Sequence, residues 1–353
     1  MRKTGRQGLG LLLYALCSLV LYVAPCYVHG QSAAGKAPDS SKLEQQGLQL
    51  IHKPEPVFRT PAVERKDSVT YPGFPYRSRV FTARDGNALF TYHFPQKGSK
   101  TIVLLLHGVL SSADKLNYTA GLLRATLNSD VYAMDHRGHG RSGGQPGDVS
   151  YTGQYEDDIA DIIGQLRRRY PHHKIILAGH SMGGGIALRY ALKTGVPPVA
   201  AYLLFAPLLG PTAPTIRMTA PPMRQGEEPF LKIHLSRIFG LKMLNTIGQH
   251  QYDSLRVLFF HVPDGSRISS YSYRANESMC PADYKAAFAA IRQPLLVLVG
   301  SRDEAFVPAA FEPAVKNSSQ GVTFVIEGAT HNSVRHDSTA MERIKQWAIH
   351  HQI

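Results

Sequence analysis

The feature that most restricts the fold of this chain is the pentapeptide Gly179-His180-Ser181-Met182-Gly183, which stands between an apolar run and a helical pattern. The run 175–178 before it is typical of a buried strand, and a helix is predicted over 185–192 after it. A chain that passes so quickly from strand to helix crowds its own backbone, so the two outer positions of the pentapeptide require glycine. The pattern therefore predicts a sharp turn that exposes the Ser181 hydroxyl at the top of a sheet. The helix N-terminus behind that turn favours an anion.

Strand and helix patterns alternate along the rest of the chain. Strands are predicted at 78–82, 89–93, 101–106, 130–134, 174–178, 199–205, 294–299 and 322–326, and further helices at 155–169 and 340–350. The first two strands are joined by the turn Asp85-Gly86-Asn87 and form a hairpin. This alternation predicts the α/β class, with a mostly parallel eight-stranded sheet and helices on both of its faces.

Composition divides the chain into segments. Residues 1–30 begin with basic residues and continue with an apolar run over 9–27, which predicts an exported protein, periplasmic or secreted. Cleavage after Gly30 and retention as a membrane anchor are both open for this segment. Residues 31–75 are rich in Ser, Ala, Gln, Lys and Pro, and we interpret them as a linker or N-terminal arm.

The main domain is predicted over 76–353, and one stretch interrupts its rhythm at about 208–290. Several prolines open this stretch, and mixed apolar fragments follow, including a predicted helix over 230–244. An insertion at this point fits a cap over the site, and additional core helices are the alternative interpretation.

Charge and cysteine content exclude several classes of function. The formal net charge is +13, but the longest basic run, Arg167-Arg168-Arg169, closes a predicted helix, where cations suit the helix dipole. A nucleic-acid partner is therefore not expected. Beyond residue 30 the chain carries a single cysteine, Cys280, and it has no Cys or His spacing typical of a metal site. We expect neither a metal nor a cofactor.

Two more residues are predicted to complete the chemistry of Ser181. A serine hydroxyl needs a base, and His331 lies just after the last predicted strand, with His336 as its nearest rival. The base needs a carboxylate that holds its tautomer, and Asp303 follows the strand 294–299, with Glu304 beside it as the alternative. The order Ser, Asp, His along the chain is the one that this kind of strand-to-helix turn uses.

The backbone N–H groups of Val109 and Met182 are the predicted oxyanion hole. Val109 follows His107-Gly108 at the end of the strand 101–106, and Met182 follows the serine. Both lie where the N–H donors of such a site are found.

The chain from about residue 79 to 349 resembles the α/β-hydrolase superfamily, and within it the monoglyceride lipase and lysophospholipase-like group. The resemblance is carried by Leu106-His107-Gly108, Asp135-His136-Arg137-Gly138-His139-Gly140-Arg141-Ser142, the segment 179–184, Gly300 to Asp303, and Gly328 with His331. It implies the fold, the triad and ester hydrolysis, and it implies that the segment Asp135 to Ser142 is a structural turn.

The expected reaction is acyl transfer in two steps through an acyl-enzyme on Ser181. The expected substrate is a small ester or a lipid, such as a monoacylglycerol or a lysophospholipid. An acyltransferase or an aminopeptidase on the same fold is the alternative, although aminopeptidase relatives tend to carry an HGGPG-like segment that residues 107–110 do not match. A non-enzymatic binding module is disfavoured because serine, aspartate and histidine are all present, and a carboxylate nucleophile is excluded by the serine at position 181.

Overall fold

The computed structural model describes residues 39–62, 70–218 and 226–353. Its strands are β1 (Arg77–Thr82), β2 (Ala88–Phe94), β3 (Thr101–Leu106), β4 (Asp130–Met134), β5 (Lys174–His180), β6 (Ala201–Phe205), β7 (Leu231–Ile233), β8 (Arg256–Phe260), β9 (Ser270–Ser272), β10 (Leu295–Gly300) and β11 (Val322–Ile326). Eight of them form the main sheet in the order β1-β2-β4-β3-β5-β6-β10-β11. The predicted eight-stranded sheet is confirmed, and each predicted strand of it lies within two residues of the observed bounds.

The sheet is mostly parallel. Only the hairpin of β1 with β2 and the pairing of β2 with β4 are antiparallel, while β3 to β6 and the last two strands of the sheet run in one direction. The carboxyl ends of these parallel strands therefore lie along one edge, where loops from distant parts of the sequence meet.

Strand β3 shows why the predicted run was apolar throughout. All six of its residues are buried. Leu104 and Leu106 pack into the core on one face of the sheet, whereas Val103 and Leu105 pack into the core on the other. A strand covered on both faces has no side chain directed to water, so it does not alternate between apolar and polar residues.

The α-helices are α1 (Ser40–Ile51), α2 (Asn117–Leu127), α3 (Gln154–Arg169), α4 (Met182–Leu192), α5 (Leu235–Thr246), α6 (Tyr273–Glu277), α7 (Tyr284–Ala290), α8 (Phe311–Lys316) and α9 (Ser338–His350). The predicted helices at 155–169, 185–192 and 340–350 correspond to α3, α4 and α9. Their apolar stripes face the sheet: α3 buries Ile159, Ile162, Ile163 and Leu166, while α2 and α9 contribute to the core on the opposite face. Packing of amphipathic stripes against both faces completes the α/β arrangement.

The insertion over 208–290 differs in part from the expectation of helical fragments. Strands β7, β8 and β9 form a second, antiparallel sheet of three strands. The predicted helix over 230–244 is wrong at its beginning, because 231–233 is β7 and α5 starts only at Leu235. β7 and β9 are only three residues long, too short for an alternating pattern to be recognised, and the five residues of β8 were not predicted as a strand.

The described part of the N-terminal arm contains helix α1, which the sequence analysis did not predict. The helix packs on α5, where Gly240 approaches Gly47 so closely that an added Cβ would lie 2.6 Å from the Gly47 carbonyl oxygen. Leu43, Gly47, Leu48 and Ile51 form the face turned away from water. A glycine in the centre of that face interrupts the hydrophobic period by which a helix is recognised.

Beyond α1 the arm stays attached to the insertion. Arg237 donates a hydrogen bond to the Ile51 carbonyl at 3.2 Å and pairs with Glu55 at 2.8 Å, and the Phe58 ring stacks on His261. The predicted export segment, residues 1–30, lies outside the described residues. In the described ranges, no helix has both the length and the apolar character needed to cross a membrane.

Candidate active site

Ser181 occupies a strained turn between β5 and α4. Its backbone angles are φ 54° and ψ −117°, a conformation that side-chain-bearing residues rarely adopt. A Cβ added at Gly179 would lie 2.4 Å from the Gly183 carbonyl oxygen, and one added at Gly183 would lie 2.6 Å from the Leu106 carbonyl oxygen. The two glycines are required because the turn presses its backbone against itself and against β3. The sharp turn predicted from the pentapeptide is confirmed.

His331 and Asp303 are brought together at the same edge of the sheet. His331 follows β11, and its Nδ1 lies 2.8 Å from Asp303 Oδ2, with neither side chain exposed. The other carboxylate oxygen of Asp303 accepts the backbone N–H groups of Ala305 and Phe306, each at 2.8 Å. Three hydrogen bonds thus fix the carboxylate, so that it can orient the imidazole and stabilise a positive charge on it.

Glu304, the alternative acid, is directed elsewhere. Its Oε2 accepts the backbone N–H of His331 at 3.0 Å and does not bond the imidazole ring. Burial raises the pKa of the Glu304 carboxyl. Its position fits a support for the His331 loop.

His336, the alternative base, lies in another environment. Its Nε2 bonds the Thr119 hydroxyl at 2.9 Å, and its ring contacts Tyr71 and Tyr118. Burial lowers the pKa of His336 to about 3. Its Nδ1 is buried without a hydrogen-bond partner, so among the described residues no carboxylate hydrogen-bonds the His336 ring.

His180, the residue before the serine, connects the turn to the His331 loop. Its Nε2 lies 2.9 Å from the His331 carbonyl oxygen, and the two rings have centroids 4.7 Å apart. Because a carbonyl only accepts, Nε2 of His180 carries the proton. The backbone and ring of His331 therefore contact His180, the residue directly before Ser181. The Nε2 of His331 is buried and makes no hydrogen bond to the described residues.

The segments that carry the two predicted oxyanion donors, Val109 and Met182, both adjoin Ser181. A Cβ added at Gly108 would lie 3.3 Å from the Ser181 Cβ, so the segment that carries Val109 runs directly against the serine. Met182 is the first residue of α4, and its N–H therefore has no acceptor within the helix. Ser181 itself is only 3% exposed.

The segment from Asp135 to Ser142 is a structural turn, as the resemblance implied. Asp135 accepts the backbone N–H groups of Ala113 at 2.6 Å and Arg141 at 2.8 Å. A Cβ at Gly140 would lie 2.2 Å from this carboxylate. Burial raises the pKa of Asp135 by more than the two backbone N–H donors lower it.

The sequence analysis did not predict the residues of the insertion that contact the loop carrying Asp303. Arg217, from the start of the insertion, donates to the Asp303 carbonyl at 2.6 Å, and Ile216 forms a β-bridge with Phe306. The Phe306 ring contacts the His331 ring at 5.2 Å. No periodic or motif signal marks these contacts, because they join segments about 90 residues apart. Within the described ranges, no group of three or more His, Cys, Asp or Glu is placed to hold a metal ion.

The mostly parallel sheet, with a serine at its strand-to-helix turn and a histidine–aspartate pair on the same edge, defines the α/β-hydrolase class. A family model described as serine aminopeptidase, S33, matches residues 97–337, about two thirds of the chain, so the chain belongs to that family.

Similar proteins with curated names match over shorter segments. A monoacylglycerol lipase of Mycolicibacterium smegmatis is 34% identical over 99 residues, which are 28% of this chain and 35% of that protein. A monoglyceride lipase of Mus musculus is 32% identical over 110 residues, which are 31% of this chain and 36% of that protein. The matched segments span only about a third of each relative.

Solved structures extend the likeness in fold to most of the chain. The α/β hydrolase GrgF from Penicillium sp. sh18 superposes with a TM-score of 0.55 at 16% identity, covering 79% of this chain and 100% of that one. At this identity the match establishes the fold alone.

Proposed function

We propose that this protein is a serine hydrolase that cleaves carboxylic esters through an acyl-enzyme on Ser181, with His331 as base and Asp303 as the acid that orients it. The observation that carries the proposal is the buried His331–Asp303 hydrogen bond of 2.8 Å beside the strained Ser181 turn. The relatives named monoacylglycerol lipase and monoglyceride lipase support ester chemistry.

In the proposed mechanism His331 Nε2 takes the proton of Ser181 as its oxygen attacks the ester carbonyl. Asp303 holds the proton on Nδ1, which leaves Nε2 free to act as the base. The N–H groups of Val109 and Met182 stabilise the oxyanion, and His331 then protonates the leaving alcohol. Water repeats these steps and releases the acid.

We propose a lipid substrate, a monoacylglycerol or a lysophospholipid, bound beneath the insertion over 208–290, which then acts as a cap. Apolar residues of the insertion share one core with Met182, next to the serine, including Leu208, Ile216, Leu241 and Phe260. Val109 packs against the same core. Continuous apolar surroundings favour an acyl chain, because its burial removes apolar surface from water.

Labelling with a fluorophosphonate probe and turnover of p-nitrophenyl butyrate test the chemistry. Wild type is expected to react in both assays, and Ser181→Ala in neither, with unchanged circular dichroism. A Ser181→Ala protein that retained turnover would show that another group is the nucleophile. A wild type that is folded yet inert in both assays would indicate the binding module.

A substrate panel tests the lipid assignment. We expect p-nitrophenyl esters of medium and long chains, monoacylglycerol and lysophosphatidylcholine to exceed the acetyl ester in kcat/KM. Preference for the acetyl ester would contradict the lipid proposal. Hydrolysis of aminoacyl p-nitroanilides would indicate an aminopeptidase, and transfer of the acyl group to an added alcohol would indicate an acyltransferase.

We further propose that the protein is exported, with residues 1–30 removed after Gly30 or kept as an anchor through the apolar run 9–27. N-terminal sequencing of the protein recovered from cell fractions tests this. A mature chain that begins at Gln31 supports cleavage, an intact N-terminus in the membrane fraction supports the anchor, and an intact soluble protein inside the cell contradicts export.

A further inference from the structure

Tyr271 brings a hydroxyl from the insertion to the segment that carries the proposed oxyanion donor Val109. The residue lies in β9, and its side chain is completely buried. Its Oη is 2.9 Å from the backbone nitrogen of Leu110 and 2.9 Å from Nε2 of His139. One hydroxyl thus joins the insertion, the loop after β3 and the Asp135–Ser142 turn.

The direction of every proton in this chain of hydrogen bonds follows from chemistry. Nδ1 of His139 lies 2.9 Å from the Arg137 carbonyl oxygen, which only accepts, so Nδ1 carries the ring proton. Burial lowers the pKa of His139 to about 4, so the ring is neutral near pH 7 and its Nε2 is an acceptor. Tyr271 therefore donates its proton to His139 and accepts the Leu110 N–H, and both interactions of its hydroxyl are satisfied within the protein.

Leu110 needs such a partner because its backbone is strained. Its φ is +56°, a left-handed conformation that is unfavourable for a residue with a branched side chain. It is the third residue of the turn Gly108–Ser111, which is closed by a Ser111 N–H···O=C Gly108 bond of 3.3 Å. Turns with a left-handed third residue ordinarily use glycine or asparagine there. The peptide between Val109 and Leu110 is thus held in an orientation that this sequence does not favour by itself.

The strand that carries Tyr271 is itself fixed to the main domain. The Ser272 N–H donates to the Gly147 carbonyl at 3.0 Å, and the Ser272 hydroxyl donates to Asp148 at 2.5 Å. Arg274 pairs with Asp148 at 2.7 Å. These contacts lie within three residues of Tyr271, so they hold its backbone, and with it the hydroxyl, in place.

We propose that Tyr271 is a positioning residue for the oxyanion hole: its hydroxyl holds the Gly108–Ser111 turn in the strained form that presents the Val109 N–H to the substrate. This inference rests on the proposed function of Ser181 and Val109. It assigns the insertion a part in transition-state stabilisation in addition to covering the site. The hydroxyl does not touch the substrate, because both of its hydrogen bonds are made to the protein.

Tyr271→Phe removes the hydroxyl alone and keeps the buried ring. In the full-length protein we expect kcat for p-nitrophenyl butyrate to fall by about tenfold with KM within about twofold, since only transition-state stabilisation is weakened. Tyr155→Phe is the matched control: its hydroxyl is also buried near His136 and His139 but bonds none of the described residues. This control is expected to match wild type in both constants.

A second variant separates positioning from a general loss of stability. Glycine adopts a positive φ without strain, so Leu110→Gly removes the conformational cost that the Tyr271 hydroxyl offsets. In the Leu110→Gly background, Tyr271→Phe is expected to lower kcat by no more than about twofold. An equal loss in both backgrounds, an unchanged kcat in Tyr271→Phe, or a loss confined to KM would overturn the proposal.

If Tyr271→Phe does not fold, Leu110→Pro deletes the same hydrogen bond from the other side. Proline has no N–H and imposes a negative φ, so kcat is expected to fall by about tenfold or more. Wild-type activity in folded Leu110→Pro would contradict the inference. Fluorophosphonate labelling separates failure of the proposed function from failure of the role of Tyr271. A wild type that neither labels nor turns over substrate would contradict the proposed function. An active wild type with an equally active Tyr271→Phe would contradict only the role of Tyr271.

Discussion

The two carboxylate oxygens of Asp303 accept different hydrogen bonds: Oδ2 accepts one from Nδ1 of His331 at 2.8 Å, while Oδ1 accepts those of the Ala305 and Phe306 backbone N–H groups. The side chains of Asp303 and His331 are both closed to solvent. An isolated carboxylate is costly to bury, and these three hydrogen bonds offset that cost here.

Replacing Asp303 by Asn should therefore abolish most activity without unfolding the protein. The amide oxygen can keep the two backbone donors, which leaves the NH₂ group facing Nδ1 and forces His331 into the wrong tautomer. We expect kcat/KM for p-nitrophenyl butyrate to drop roughly a thousandfold or more. Glu304→Gln is the control, because its amide oxygen still accepts the His331 N–H, and activity is expected to stay within about threefold. If Glu304→Gln were the more damaging change, the acid would have been assigned to the wrong residue.

Gly183 offers a test of the strained turn. A methyl group there would lie 2.6 Å from the Leu106 carbonyl oxygen and 2.7 Å from that of His107. Gly183→Ala is expected to lower the free energy of unfolding by about 2 kcal/mol or more, because rigid backbone has to move. Gly164→Ala, also in a helix, would meet only the end of Arg168 at 3.7 Å and is expected to stabilise by about 0.5–1 kcal/mol. Urea unfolding measures both, and equal effects of the two changes would refute the crowding argument.

The contact of α1 with α5 can be tested at Gly240. A methyl group at this position would meet the Gly47 carbonyl oxygen at 2.6 Å and the Ile51 side chain at 2.8 Å. Gly240→Ala is expected to separate the two helices and to accelerate hydrogen–deuterium exchange over residues 40–51. Lys242→Ala, on the exposed side of α5, provides the comparison and should leave exchange in α1 unchanged. Unaltered protection in Gly240→Ala would show that α1 is not held by this contact.

Asp148 makes the attachment of β9 dependent on pH. Burial opposes its ionisation, but hydrogen bonds from Arg274 and Ser272 outweigh this effect and lower the pKa of Asp148. A carboxylate whose pKa is lower in the folded state stabilises the protein above its unfolded pKa of about 4, and the stabilisation is lost as the pH falls through the folded value.

Asp148→Asn is accordingly expected to lower stability by about 2 kcal/mol at pH 7, because Arg274 loses its charged partner. The difference from wild type should begin to shrink below about pH 4, where the carboxyl of the unfolded wild type takes up a proton, and it should disappear as the pH falls through the lower pKa of the folded state. Thermal unfolding at pH 7, 5 and 3.5 measures this, with Asp264→Asn as an exposed control in the same insertion. A difference that is constant over this range would mean that charge is not what stabilises the contact.

Local sequence was sufficient wherever a residue's environment is set by its own strand or helix. The run 101–106 predicted β3 to the residue because both faces of that strand are covered. The stripe of α3 was recognised because Ile159, Ile162, Ile163 and Leu166 repeat with the helical period. Helix α1 was missed because a glycine lies at the centre of its buried face, and β7 and β9 were missed because strands of three residues leave no period to read.

The sequence by itself determined the parallel sheet, the sharp turn at Ser181 and the short set of acids and bases that end at the same edge. The sequence already ranked Asp303 above Glu304 and His331 above His336. Only the tertiary structure shows that Asp303 bonds the His331 ring, that Glu304 bonds the His331 backbone N–H and that His336 bonds Thr119. It alone also brings Tyr271 to Leu110 and His139. The physical reason is the distance along the chain over which each interaction acts. Hydrophobic period and turn chemistry act over a few neighbouring residues, whereas a hydrogen bond between Tyr271 and Leu110 joins groups 161 positions apart and exists only once the chain has folded.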